Sequence, residues 1–334
     1  MHSVTPMAVI GAGSWGTALA IQCARAGHPT RLWGRDAALV RSMQSARRND
    51  RYLPDAEFPG NLEAVTDLRA ALAGARDALV AVPSHAFRQM LLEIKPHLGE
   101  DTRIAWASKG FERASGLLPH QVAQQIFPDR PGAVLSGPTF AREVGAGLPT
   151  AMTAASPDAQ FVKELALRLS DRHFRIYTQS DIVGVEVGGA VKNVIAIGSG
   201  IADGMGFGAN TRVALITRGL AEMMRLGVQL GARRETFMGL AALGDLVLTC
   251  TDDQSRNRRL GLALGRGASA AQAERSIGQV IEGVAAASAV REVAARARVE
   301  MPICFEVHRV LHEGRAVRAA LQALMTREVR SETE

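Results

Sequence analysis

The chain has 334 residues, 47% hydrophobic and 22% charged, enough for one large or two medium domains that fold without staples or metal. Its three cysteines, Cys23, Cys250 and Cys304, lie far apart, which excludes a disulfide framework and any Cys-x-x-Cys metal or redox pair. A net charge of +6 raises nucleic acid as a partner, but there is no long Lys/Arg block and aromatics are only 4%, so the expectation is no nucleic acid and small anionic ligands. The opening MHSVTPMAVIGAG has no charged n-region or cleavage-type site, so no signal peptide is expected. No run of apolar residues of spanning length is free of charges or clustered glycines, so no membrane span is expected and the default compartment is the cytoplasm.

In chain order, Met7–Ile10 reads as a strand, followed by Gly-Ala-Gly-Ser-Trp-Gly and a helix over Thr17–Arg25. A second strand, Thr30–Trp33, precedes a helix from near Asp36. Further apolar runs at Ala78–Val82, Arg103–Trp106, Ala133–Leu135 and Phe174–Thr178 read as strands, with a helix over Ala86–Ile94. Another helix is expected after Ser156-Pro157-Asp158, with Ser156 as cap and Pro157 at the first helical position. Phe161, Val162, Leu165 and Leu169 lie on its apolar face. Short apolar strands alternating with helices predict a parallel sheet with crossover helices.

The pattern changes near residue 180. Eight glycines fall between Val183 and Gly208, and Val213, Ile216, Leu220 and Met223 then follow helical spacing. The expected architecture is an α/β parallel-sheet domain over 1–180 followed by an all-α domain over 181–334, with Ser331–Glu334 as a frayed tail.

The glycine motif sits where it carries physical meaning, between a strand and a helix. Gly11 makes the tight turn, Gly13 lets a pyrophosphate approach the backbone, and Gly16 lets the helix pack on the sheet. The free amides of the helix N-terminus bind the anion. This predicts a Rossmann-like dinucleotide site with Ser14 and Trp15 in the cradle. After the second strand, where Asp or Glu would select NAD, stands Arg35; a cation there suits a 2′-phosphate, so NADP(H) is favoured over NAD(H). The competing reading makes Arg35 a solvated loop residue, with Asp36 simply capping the next helix.

Of 39 basic residues only four are lysine, Lys95, Lys109, Lys163 and Lys192. Lys192 stands in a helix of apolar and small residues. Burial there would lower its pKa and leave a sequestered, uncharged amine suited to acid–base work on a carbonyl or alcohol. Otherwise it is an ordinary lysine that snorkels to the surface.

The segment Gly189–Asn210, GAVKNVIAIGSGIADGMGFGAN after Gly188, resembles the signature of NAD(P)-dependent glycerol-3-phosphate dehydrogenases. The resemblance runs over nearly the whole chain. It takes in GAGSWGTALA from Gly11, Ser108-Lys109-Gly110, SGPTFAREV from Ser136, GLAALGDLVLTCT from Gly239, SRNRRLG from Ser255, and Val280-Ile281-Glu282-Gly283. The bacterial single-chain form is the nearest in kind. The resemblance implies reversible reduction of dihydroxyacetone phosphate to sn-glycerol 3-phosphate, in supply of phospholipid synthesis. It implies Lys192 as proton donor to the ketone oxygen, Asp245 as the group that holds that lysine and contacts a substrate hydroxyl, and Lys109 beside both nicotinamide and substrate. It further implies Ser255, Arg256 and Asn257 on the substrate phosphate, Arg256 also on the cofactor, Gly137 and Thr139 on substrate, and Ala141, Val280 and Glu282 on the cofactor. A hydroxyl, a guanidinium and an amide on consecutive residues at a helix start also suit a phosphate in their own right. No metal is expected, since His85 and His97 lack ligand-spaced companions. Apolar helices in the second half suggest a homodimer.

Two other readings remain open on sequence. A 3-hydroxyacid dehydrogenase of the same build would place Asn one helical turn after the lysine, where this chain has Ala196. A non-catalytic NAD(P)-sensing protein would keep the glycine cradle without needing Lys192, Asp245 and Arg256 together.

Overall fold

The computed structural model describes residues 5–326; the tail Ser331–Glu334 lies outside them. The first half alternates as the apolar pattern predicts. Strand β1 (Met7–Ile10) feeds α1 (Ser14–Arg25), then β2 (Thr30–Trp33) and α2 (Ala37–Ala46). The hairpin β3 (Arg48–Asn49) and β4 (Leu53–Glu57), strand β5 (Leu62–Val65) and α3 (Leu68–Leu72) follow. Then come β6 (Asp77–Val80), α4 (Ser84–Ile94), β7 (Arg103–Trp106), α5 (Pro119–Ile126) and β8 (Gly132–Ser136). The half closes with α6 (Ala141–Ala146), β9 (Thr150–Ala155), α7 (Ala159–Leu169) and β10 (Phe174–Gln179).

Eight strands form one sheet in the order β10-β9-β8-β7-β6-β1-β2-β5. All neighbours run parallel except β8 and β9, which pair antiparallel. The sheet is therefore mixed where the sequence pattern suggested a parallel one. The central strands β1, β6, β7 and β8 are buried on both faces, whereas the edge strands β5 and β10 alternate buried and exposed residues. One apolar cluster joins Leu19, Cys23, Leu79, Val144 and Leu165, and another joins Val80, Phe87, Leu91, Trp106 and Val122. Burial from both sides explains why the central strands read as continuous apolar runs without alternation.

Two local details differ from expectation. The cap of α7 is Asp158, whose Oδ1 accepts from the Phe161 amide at 2.9 Å. Ser156 instead donates to the carbonyl of Gly132 at 2.8 Å. Val213 is 61% exposed, so it does not join the buried face of its helix with Ile216 and Met223.

Beyond β10 the described residues are helical: α8 (Ile182–Gly204), α9 (Ala209–Gln229), α10 (Asp245–Thr251), α11 (Arg256–Gly265), α12 (Ala270–Ile277), α13 (Glu282–Arg296), α14 (Pro302–His312) and α15 (Val317–Met325). Helix α8 is the one helix, among the described residues, long and apolar enough to cross a membrane, but 83% of its apolar window is buried inside the protein. It is a core helix. Its N-terminus is pinned by Asp181, which accepts from the Gly184 amide at 2.9 Å.

The crossing of α8 with α11 decides where the site forms. A side chain at Gly200 would meet the Arg258 carbonyl at 2.2 Å, and one at Gly261 would meet the Ile197 carbonyl at 2.1 Å. Only glycine on both helices permits this backbone approach. It brings the start of α11 against the middle of α8, where Lys192 stands.

Candidate active site

Gly11, Gly13 and Gly16 stand at the turn from β1 into α1. Gly11 has φ +120°, and a side chain there would press on the Ala81 carbonyl at 2.7 Å; one at Gly16 would meet the Gly11 carbonyl at 1.8 Å. Helix α1 begins at Ser14, three residues earlier than expected, so Ser14 and Trp15 form its first turn and line the cleft between sheet and helices. Gly13 has open space around its Cα, which leaves room for a ligand against the backbone. Trp15 Nε1 is buried without a hydrogen-bond partner. An amide-lined helix start, open space and an orphaned donor fit a dinucleotide pyrophosphate.

At the tip of β2, Arg35 is exposed and outside the cleft lining. Asp36 caps α2, accepting from the amides of Ala38 at 2.9 Å and Leu39 at 3.1 Å. Arg51, which lines the cleft, lies 3.7 Å from Asp36. The carboxylate is thus occupied by the helix start and a cation, and Arg35 remains on the same rim.

The cleft encloses about 790 Å³ and brings together Lys109, Thr139, Ala141, Lys192, Ser255, Arg256, Asn257 and Glu282. Asp245 lies beneath it, 1% exposed. A wide π-type turn over Leu240–Gly244 delivers Asp245 as the first residue of α10; such turns recur where a helix must aim a functional group. Asp245 Oδ1 accepts from Lys192 Nζ, and Oδ2 accepts from Lys109 Nζ at 2.7 Å. Lys192 Nζ also donates to Thr249 Oγ1 at 3.0 Å, and the Thr249 hydroxyl donates to the Asp245 backbone carbonyl at 2.6 Å.

Lys192 and Asp245 come from the helical half and Lys109 from the loop after β7. That loop is docked on the helices: Phe111 is buried in their core, and Arg296 donates to the Ser115 carbonyl at 2.7 Å.

The charges follow from this packing. Burial pushes the Lys192 amine down to about 8; Asp245 opposes the shift and Lys109 adds to it. The ammonium therefore predominates at neutral pH, where the sequence reading expected an uncharged amine. Asp245 supplies the difference: a buried carboxylate keeps a buried ammonium charged. Burial would raise the Asp245 carboxyl, but Lys109 and then Lys192 outweigh it and hold it below the usual range.

On the opposite wall, Ser255 caps α11, accepting from the Arg258 amide at 3.2 Å. Its O–H remains free to donate. Arg256 points into the cleft, while Arg258 is buried against Asp203 and Asp253. Asn257 is partly committed: it donates to Asn193 Oδ1 at 2.9 Å and accepts from the Gly283 amide at 2.9 Å. One N–H is left for a ligand. Asn193 reaches Glu282 at 3.3 Å.

Val280 and Gly137, like Arg35, Asp245 and the three cradle glycines, are not among the residues that line the cleft. Val280 is 60% exposed, and Gln279 and Glu282 line the cleft on either side of it. Gly137 packs its Cα on Met152. Thr249 and Asn193 were not singled out as site residues. Thr249 carried a signal, four residues after Asp245 on one helix and hence on the same face; Asn193 acquires its role only through contacts from α11 and α13. Among the described residues no cluster of His, Cys, Asp and Glu could hold a metal.

Comparison with known proteins gives the family. Residues 6–162 match the family model for the N-terminus of NAD-dependent glycerol-3-phosphate dehydrogenase, and residues 181–322 match the model for its C-terminus. The glycerol-3-phosphate dehydrogenase [NAD(P)+] of Tolumonas auensis is 53% identical over 334 residues, covering 99% of this chain and 100% of that protein. The enzyme of the same name from Idiomarina loihiensis is 55% identical over 326 residues, covering 97% and 98%. The crystal structure of glycerol-3-phosphate dehydrogenase from Coxiella burnetii superposes with a TM-score of 0.93 at 49% identity, covering 97% of this chain and 99% of that one. The chain belongs to the NAD-dependent glycerol-3-phosphate dehydrogenase family.

Proposed function

We propose that this chain reversibly reduces dihydroxyacetone phosphate to sn-glycerol 3-phosphate with NADPH or NADH, in the cytoplasm, to supply phospholipid synthesis. The observation that carries the reading is one buried carboxylate, Asp245, gripping two lysines at the floor of a cleft whose opposite wall presents Ser255 and Arg256. We take 1–180 as the dinucleotide-binding half and 181–334 as the substrate-binding half. A homodimer is the expected assembly.

A reduced dinucleotide, its pyrophosphate held by the Gly11–Gly16 cradle, would supply hydride chemistry at the ketone carbon. Lys192 gives its ammonium proton to the ketone oxygen, and in reverse its neutral amine takes the hydroxyl proton. Asp245 keeps that ammonium loaded and accepts from a substrate hydroxyl. Lys109 fixes the carboxylate, Thr249 helps to fix the Lys192 amine, and Lys109 balances developing negative charge on oxygen. Ser255, Arg256 and the free N–H of Asn257 hold the phosphate, and Thr139, with the Gly137 backbone, closes the other side. Ser14, Trp15, Ala141, Arg256, Glu282 and the backbone at Val280 contact the cofactor.

Absorbance of NADPH with dihydroxyacetone phosphate against a 3-keto acid tests the reading. Oxidation should follow the phosphorylated ketone; turnover of the 3-keto acid alone would refute it. Arg256→Ala should raise KM for dihydroxyacetone phosphate by roughly 10- to 100-fold, as for loss of a charge-assisted contact to phosphate. An unchanged KM would place the phosphate elsewhere. Arg35→Ala should weaken NADPH binding by roughly tenfold with little effect on NADH; equal losses measured by fluorescence titration would remove Arg35 from coenzyme selection.

A further inference from the structure

Glu186 is a carboxylate in the first turns of an apolar helix, α8, with its side chain 1% exposed. Its Oε1 accepts from Trp106 Nε1 at 2.8 Å and from the His120 amide at 2.9 Å. Its Oε2 lies 2.5 Å from His120 Nδ1. Burial pushes the carboxyl up, against the pull of His120. Trp106 is the last residue of β7 and His120 stands in the first turn of α5, so one side chain of the helical half ties down two elements of the sheet half.

The placement matters for the reaction. Three residues after Trp106 comes Lys109. Six residues after Glu186 comes Lys192, a rise of about 9 Å along the helix. Lys192, Thr249 and Asp245 all belong to the helical half and stay together if the halves shift. Lys109 alone arrives from the sheet half, on a loop that Phe111 and Arg296 also tie to the helices, and its 2.7 Å bond to Asp245 depends in part on how α8 seats against β7. Replacing a buried anchor of this kind with an apolar group leaves two buried donors unmatched and frees the register.

We propose that Glu186 is a positioning residue, which through Trp106 and His120 fixes α8 against β7 so that Lys109 reaches the Asp245–Lys192 pair. The proposal rests on the reaction read above and deepens it.

The test has an activity arm and an arm that needs no turnover. Glu186→Leu should lower kcat for dihydroxyacetone phosphate reduction by roughly 10- to 100-fold, as for a small misplacement of reacting groups. KM and the NADPH Kd should stay within about threefold, the split expected when only the transition state is affected. Glu186→Gln should restore kcat to within about threefold, since its amide oxygen accepts from Trp106 and His120 and its NH2 can donate to His120 Nδ1.

Because the chain has only four lysines, 13C-labelled lysine resolves the Lys192 titration directly. Withdrawal of Lys109 removes a neighbouring positive charge, so in Glu186→Leu the midpoint should rise from about 8, and Lys109→Ala should reproduce that rise. In Glu186→Gln it should not move. Should the leucine variant fail to fold, Trp106→Phe carries the test, with a smaller kcat loss and a midpoint moving the same way. An unmoved Lys192 midpoint in a folded Glu186→Leu or Trp106→Phe protein overturns the proposal, as does a loss of cofactor and substrate binding equal to the loss of kcat. If the parent protein leaves dihydroxyacetone phosphate untouched, the reaction itself is wrong, and the midpoint still decides whether Glu186 seats Lys109.

Discussion

Lys192→Ala should reduce turnover of dihydroxyacetone phosphate by roughly 100- to 10,000-fold, the range for losing a positioned general acid, with NADPH binding intact. The geometry makes the substitution informative. Lys192 leaves behind an Asp245 still paired with Lys109 at 2.7 Å, so no buried carboxylate is orphaned and folding should survive. Its partner hydroxyl on Thr249 keeps its own bond to the Asp245 carbonyl. The loss should therefore be catalytic, with KM little changed, and a small primary amine added to the buffer should recover part of the rate. Near-parent turnover in steady-state assays would remove Lys192 from the mechanism.

Asp245→Asn should produce the second large effect, by a different route. A neutral amide would face two ammonium groups in a site where Asp245 is 1% exposed. Without the carboxylate only Glu282 still opposes burial and the charge on Lys109, so Lys192 should lose its proton below the present value of about 8. At neutral pH the donor would then be empty, and kcat should fall by roughly 100-fold. The loss should shrink as pH is lowered, because protonation reloads the amine. Breaking a buried pair by removing one partner also costs about 3–5 kcal/mol, so a lower melting temperature should accompany it. A kcat–pH profile that superposes on the parent would show that Asp245 does not hold the proton on Lys192.

The features legible in the sequence are those whose chemistry is contiguous. Gly11–Gly16 declares itself because strand, turn and helix start follow one another. Lys192 stands out as a lone amine in a helix otherwise apolar and small. Ser255 and Arg256 occupy a helix start and could be read as one. What was not legible depends on partners distant in sequence. Strand β9, Thr-Ala-Met-Thr-Ala-Ala, has small residues and no strong apolar run; it is fixed by pairing with β8 and β10. Asn257 looks like a wholly free amide until Asn193 on α8 accepts one of its N–H groups and the Gly283 amide of α13 donates to its Oδ1. Glu186 looks like a stray charge in an apolar helix until Trp106 and His120, 80 and 66 residues away, close around it. The charge of Lys192 is not legible either, because it is a balance: burial and Lys109 push the amine down while Asp245, 53 residues on, pulls it back up.

The most direct test of the central claim is the pH dependence of a single turnover of dihydroxyacetone phosphate reduction at saturating NADPH. The donor is the protonated amine of Lys192, so the rate should be full below neutrality and fall as pH rises through about 8, by about tenfold per unit above the midpoint. A rate that stays level to pH 10, or climbs with pH, would contradict proton delivery from Lys192.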